Sequence, residues 1–265
     1  MNERIECDAA TICLFAFFVL ALSLLSPPAI AADPTSQTIK VGVRHNMEAT
    51  LYTPDGPGPF PSVIVFHTSQ GITEVDRSYC AGLAREGFIC IVPAFLRAYG
   101  IKQDLKMATF TTDRDAILAD FRSIIDETLG KHPKARPGAV GAVGFSNGGW
   151  FAVLLAAQGR IKGGVAYYGA LVGVAQPRER NPFLQSYTAA SSPVLLLGGA
   201  NDTTMGTEPV RMLEQIIKGA GAPYELILYP DAEHGFDRNA TRSGNTAAGI
   251  DAKARTLAFL RTYVK

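Results

Sequence analysis

Apolar and polar positions change period repeatedly along this chain, and each change marks an element. Residues 38–53 alternate polar and apolar side chains, with a turn near His45 and Asn46, and predict an antiparallel hairpin. A Pro/Gly-rich loop at 54–61 follows. Thereafter short, largely apolar runs predict a buried strand at 62–66 and further strands at 88–92, 139–144, 164–168, 193–197 and 224–229. Helical spacing fills the intervals, at 76–86 (stopping at Gly87), 111–129, 207–218 (ending at Gly219) and 246–264. In the long 111–129 segment Ile117, Phe121, Ile124 and Ile125 share one face. Strands that are apolar throughout, joined through helices, predict an α/β fold: a mostly parallel sheet covered by helices on both faces. The least regular stretch is 174–187, which reads as a flap or surface loop.

The start of the chain has a different pattern. Residues 12–25 are almost continuously apolar, too short for a membrane span of about 20 residues. Pro27 and Pro28 end the run, and small residues lead to Ala32 and Asp33. The segment 1–32 therefore reads as a secretory signal peptide, leaving 33–265 as one domain in a periplasmic or secreted protein without stable membrane association. Glu3, Glu6 and Asp8 outnumber Arg4 in what should be a positive leader, so an uncleaved anchor is the alternative.

Composition adds mainly exclusions. The 265 residues carry 25 basic and 24 acidic side chains, with no basic block that would favour nucleic acid. No phosphate-binding Gly-rich loop ending in Lys-Ser/Thr occurs, nor a His-Glu-x-x-His or paired-cysteine metal motif. Four cysteines are present, and Cys80 and Cys90 would remain after cleavage. They read as buried free thiols, with a disulfide as the alternative in an oxidising compartment.

Candidate chemistry lies at the ends of the predicted strands. Gly144-Phe145-Ser146-Asn147-Gly148-Gly149 contains Gly-x-Ser-x-Gly between an apolar strand and the apolar run 150–157. A serine on so tight a strand-to-helix turn is an exposed nucleophile, and glycines on either side give the chain room to reverse. Its hydroxyl needs a base. Of four histidines, His45 and His132 lie in polar turns, whereas His234 follows the last strand, at the sheet edge that Ser146 occupies. Asp202, just past the 193–197 strand, is the matching acid to orient the imidazole. The order Ser146, Asp202, His234 is the one such an elbow requires. The backbone N–H of Asn147 and one from the loop after the 62–66 strand, Ser69 or next Thr68, would hold the oxyanion. His67 either shapes that loop or is an ordinary histidine at the core edge.

From about Lys40 onward, these residues resemble the dienelactone hydrolase family of α/β-hydrolases. The similarity rests on the 144–149 run, on Val165-Ala166-Tyr167-Tyr168-Gly169, on Asn201-Asp202, on His234-Gly235-Phe236 and on the closing stretch 252–260. The resemblance implies hydrolysis of a small-molecule ester or lactone through an acyl-enzyme, with no cofactor. Well-known members carry cysteine where this chain has Ser146, and a glutamate where it has Thr68. The two differences are mutually consistent, since a serine activated by His234 leaves no thiolate to control. Family members also bind a substrate carboxylate through two arginines, and Arg238 and Arg97 stand at or near those places. An anionic substrate is the corresponding expectation. A peptidase or amidase on the same fold, and a non-catalytic binding protein, are the competing classes.

Overall fold

A computed structural model describes residues 33–238 and 243–265, backbone only at 243–245. The expected signal segment, 1–32, lies outside the described residues. Eight strands form one sheet: β1 (Thr35–Val41), β2 (Met47–Thr53), β3 (Phe60–Phe66), β4 (Ile89–Pro93), β5 (Ala135–Phe145), β6 (Gly164–Tyr167), β7 (Val194–Gly199) and β8 (Tyr224–Tyr229). Their spatial order is β1-β2-β4-β3-β5-β6-β7-β8. The hairpin β1–β2 is antiparallel and joins β4 antiparallel, while every pair from β4 to β8 is parallel. All parallel strands therefore end on one edge, where loops have room to build a site.

Helices cover both faces because the strands are apolar on both. In β3, Val63 and Val65 face the layer that holds α1 (Glu74–Arg85) and α7 (Ser243–Tyr263). Ile64 and Phe66 face the opposite layer, which holds α3 (Arg114–Ser123), α4 (Asn147–Ala157) and α6 (Glu208–Ala220), besides the short α2 (Phe95–Ala98) and α5 (Pro182–Ser186). This period-two division is what a sheet covered on both sides demands. Phe66, Phe95, Phe121 and Phe151 interlock in the second layer, with Phe66 and Phe121 ring centres 4.4 Å apart. Each ring removed from water contributes about 1.5–3 kcal/mol. Every residue of α4 is buried, which anchors the N-terminus of that helix at the sheet edge.

Three local expectations need correction. The helix expected to stop at Gly219 runs on to Ala220 and stops at Gly221, whose φ of 72° is the left-handed conformation glycine tolerates. The 174–187 stretch is a surface loop, exposed at 175–180, but it is tied down and is not a loose flap. Buried Asn181 accepts from the Phe183 and Leu184 N–H groups, capping α5, and its amide donates to the Val174 and Gln176 carbonyls. Finally, Cys80 and Cys90 are joined as a disulfide, with Cα atoms 5.5 Å apart, and not free thiols. Cys80 lies on α1 and Cys90 on the adjoining β4, so side-by-side packing brings the sulfurs together.

The bridge closes a loop with a sequence separation of 10. The double variant Cys80→Ala/Cys90→Ala should lose about 2–3 kcal/mol of unfolding free energy in a urea titration. Wild-type protein treated with a thiol reductant should lose a similar amount, and an unchanged midpoint would show that the bridge does not form.

Candidate active site

β5 ends at Phe145 and α4 begins at Asn147, so Ser146 alone turns the chain. Its φ of 51° and ψ of −113° are unusual for a residue with a side chain. Three hydrogen bonds hold it there. Its N–H donates to the Tyr167 carbonyl, and its own carbonyl accepts from the Gly149 and Ala170 N–H groups, each at 3.0 Å. Packing around it leaves no room for side chains. A Cβ at Gly144 would lie 2.1 Å from the Gly148 carbonyl oxygen, and one at Gly148 would lie 2.2 Å from the Phe66 oxygen. Both glycines are thus required by contact with backbone, which cannot move aside.

The loops after β7 and β8 meet in a similar way. A Cβ at Gly199 would lie 2.3 Å from the Ala232 carbonyl oxygen. The Ala200 N–H donates to Tyr229 and the Asn201 N–H to Ala232. This junction sets Asp202 beside His234: Nδ1 of His234 is 2.8 Å from Oδ2 of Asp202. The other ring nitrogen, Nε2, is 3.1 Å from Ser146 Oγ. Burial would raise the Asp202 carboxyl, but the His234 hydrogen bond and the Met205 and Thr204 N–H donors outweigh it and hold it below its ordinary value. An ionised Asp202 only accepts, so Nδ1 carries the proton and Nε2 accepts from the Ser146 hydroxyl. Ser146, Asp202 and His234 therefore form one hydrogen-bonded row at the carboxyl edge, in the tautomer a proton acceptor requires.

The row opens into a cleft of about 360 Å³. Asn147 and Ser69 both line it, together with Thr68. Asn147 is the first residue of α4, so its N–H has no acceptor one turn back. Thr68 and its neighbours are shaped by fully buried His67, whose Nδ1 donates to the Thr68 carbonyl at 2.7 Å. Burial pushes the His67 pKa down to about 4, so the ring is neutral near pH 7 and acts as a fixed strut.

The two arginines part company. Arg97 lies outside the cleft, its side chain 82% exposed and 3.9 Å from Glu48. On α2 it borders a separate depression, with Glu48, Gln70 and Arg77. Arg238 does line the cleft, but its Nη2 donates to Asp76 at 2.7 Å and its Nε to the Tyr168 hydroxyl at 3.1 Å. Asp237 flanks it at 3.7 Å, and the guanidinium lies 4.4 Å from the centre of the Phe145 ring. Asp76 is fully buried, and burial would raise its carboxyl. Arg238 and the Thr73 donors outweigh that and hold it low.

Three contributors carry no signal readable in the sequence alone. Asp76 caps α1 through Thr73 and holds an arginine 162 residues away. Tyr168, with a φ of 38°, packs its ring edge-on to His234 at 4.7 Å and donates a hydrogen bond from its hydroxyl to Asp237. The 3₁₀ segment Gln103–Phe110 supplies a cleft wall from Gln103, Lys106, Met107 and Phe110. Only its place after a parallel strand, at the carboxyl edge, could have indicated it.

A parallel sheet with a serine on a strand-to-helix elbow, an acid after one later strand and a histidine after another defines an α/β-hydrolase. The chain belongs to the dienelactone hydrolase family, whose model matches residues 47–264. It is 30% identical over 212 residues to a protein of Escherichia coli (strain K12) provisionally named carboxymethylenebutenolidase, covering 78% of each chain. The carboxymethylenebutenolidase of Rhodococcus opacus is 29% identical over 230 residues, covering 81% of this chain and 86% of the other. A crystal structure from Klebsiella pneumoniae, provisionally described as a dienelactone hydrolase, superposes with a TM-score of 0.73 at 26% identity, covering 87% of this chain and 99% of that one. The protein is accordingly a hydrolase acting on ester bonds.

The Asp76–Arg238 pair makes a sign-definite prediction. Because the folded carboxyl is held below its ordinary value of 3.8, its contribution is complete above that pH and is lost as pH falls through the lower folded value. Asp76→Asn leaves a buried guanidinium short of its partner and should cost about 3 kcal/mol at pH 7. Urea midpoints measured from pH 7 down to pH 2 should show the gap to wild type beginning to shrink once pH falls below 3.8. A gap that stays constant with pH would contradict the ion-pair assignment.

Proposed function

We propose that the protein is an exported serine hydrolase that cleaves carboxylic esters or lactones through an acyl-enzyme. The observation that carries this reading is the hydrogen-bonded row Ser146–His234–Asp202 with Ser146 held at a positive φ. In the proposed reaction Ser146 Oγ attacks the substrate carbonyl while His234 Nε2 takes its proton. Asp202 stabilises the imidazolium that forms. The negative charge gathered on the carbonyl oxygen is held by the N–H groups of Asn147 and Ser69. As the C–O bond breaks, His234 returns the proton to the departing oxygen and Ser146 keeps the acyl group. Water then repeats the sequence: His234 takes its proton, the hydroxide adds to the ester carbonyl, and the carboxylic acid leaves as Ser146 regains its hydrogen.

Ser146→Ala and His234→Ala should each lower kcat for a p-nitrophenyl ester by at least about 10⁴-fold, with Asp202→Asn losing about 10³- to 10⁴-fold. Circular dichroism would confirm that each variant folds. A Ser146→Ala protein that keeps wild-type turnover would remove the nucleophile from the account.

Export is inferred from the apolar run at 12–25 with small residues up to Ala32, and the Cys80–Cys90 bridge supports an oxidising compartment. Protein recovered outside the cytoplasm should have Asp33 as its first residue by intact mass. Recovery with the leader attached would point to an anchor instead.

A further inference from the structure

We infer that the cleft selects neutral esters of short to medium aliphatic acids, with Met107 on the 3₁₀ segment Gln103–Phe110 contacting the acyl chain. This rests on the reading of Ser146 as acyl acceptor and adds the substrate class. The first strand of the argument is charge. A cleft built for a carboxylate needs an uncompensated cation, and the candidate arginines do not provide one. Arg97 lies elsewhere, 82% exposed. Arg238 is shared between Asp76 at 2.7 Å and Asp237 at 3.7 Å, so the group it belongs to has no net positive charge. A substrate carboxylate beside it would meet two acidic neighbours and lose water without gaining an equivalent partner. Lys106 also lines the cleft, but on an exposed stretch at its rim, where water screens what an ammonium can offer.

The second strand is the wall. Met107, Phe110, Ala170, Val172 and Met205 put apolar side chains on the cleft, while Ser146 and His234 hold the reacting end. Direction follows from proton traffic. The departing oxygen takes its proton from His234 Nε2, so the alcohol leaves on the side of His234 and Gly235. The acyl group then extends away from His234, and the 3₁₀ segment lines the cleft beside the Ser69 loop, where Gln103 Nε2 donates to Ser69 Oγ at 3.3 Å. There Phe110 is fixed against Trp150, their ring centres 5.5 Å apart, and Trp150 is itself held by its indole N–H on the Val172 carbonyl. Met107, in contrast, is 49% exposed at the cleft and is free to adjust its side chain over a bound acyl group. Its unbranched, adaptable thioether suits chains of varying length. At about 360 Å³ the cleft is near the small end of ligand sites, a size that matches short to medium chains.

The test is kcat/KM for p-nitrophenyl acetate, butyrate, hexanoate and the anionic hemiglutarate, with wild type, Met107→Ala, Met107→Trp and Lys106→Gln. Because Met107 is half exposed, neither of its substitutions should disturb folding. Wild type should favour butyrate or hexanoate over acetate about tenfold, a discrimination within reach of a hydrophobic pocket. It should also favour butyrate over hemiglutarate by at least about tenfold. Met107→Ala should cut the hexanoate-to-acetate ratio about fivefold. Met107→Trp should move the optimum to acetate, and Lys106→Gln should leave the neutral-to-anionic ratio unchanged. A chain-length profile indifferent to both Met107 variants overturns the acyl contact. Hemiglutarate turned over as fast as butyrate, or a ratio that changes with Lys106→Gln, overturns the neutral class. If wild type hydrolyses none of the four esters, the parent reading falls and this inference falls with it.

Discussion

The structure at the sheet edge depends on how closely α4 approaches β3 and β5. With Gly144 and Gly148 lacking side chains, the first turn of the helix touches strand backbone directly, and one residue must reverse the chain. That residue is Ser146, and its positive φ is the cost of the approach. Three backbone hydrogen bonds and a wholly buried helix hold the turn in place, so the strain cannot relax locally. The hydroxyl is thereby presented at the cleft without help from its own rotamer freedom. The same device recurs where Gly199 lets the loops after β7 and β8 touch, bringing Asp202 and His234 together.

Around this row the electrostatics are closed rather than open. Arg238 lines the cleft with Ser146, yet its interactions run inward to Asp76, Asp237 and Tyr168. It ties the His234 loop to the start of α1, so it is a structural cross-brace that also borders the cleft. Tyr168 belongs to both systems: its ring rests on His234 and its hydroxyl joins the brace. Tyr168 thus places the brace and His234 in direct contact. The disulfide Cys80–Cys90 strengthens the same region by locking α1 to β4, close in sequence to Asp76.

Much of this is legible in the sequence. Apolar runs mark all the parallel strands, and Ser146, Asp202 and His234 are recognisable because each follows such a run at the same edge. What escapes is long-range or irregular. Asp76 looks like a helix-start acid, and nothing local says that its second oxygen holds an arginine 162 residues later. The 103–110 stretch has no clean period, since 3₁₀ turns do not repeat at 3.6, and so it is passed over although it forms a wall of the cleft. The 174–187 stretch is a surface loop as one of its two readings has it, but nothing local shows that one buried side chain, Asn181, organises it. Arg97 misleads because a one-residue offset on a short helix is enough to turn a side chain out of a site.

The central claim is that strain, packing and a two-step proton path make Ser146 the acyl acceptor. A direct check is peptide mapping by mass spectrometry after brief exposure of the folded protein to a fluorophosphonate, which phosphonylates an activated serine. The account predicts one phosphonyl group per chain, located on the peptide at Ser146, with no labelling once the protein is unfolded in urea beforehand. Labelling at another residue, or none in the folded protein, would contradict it.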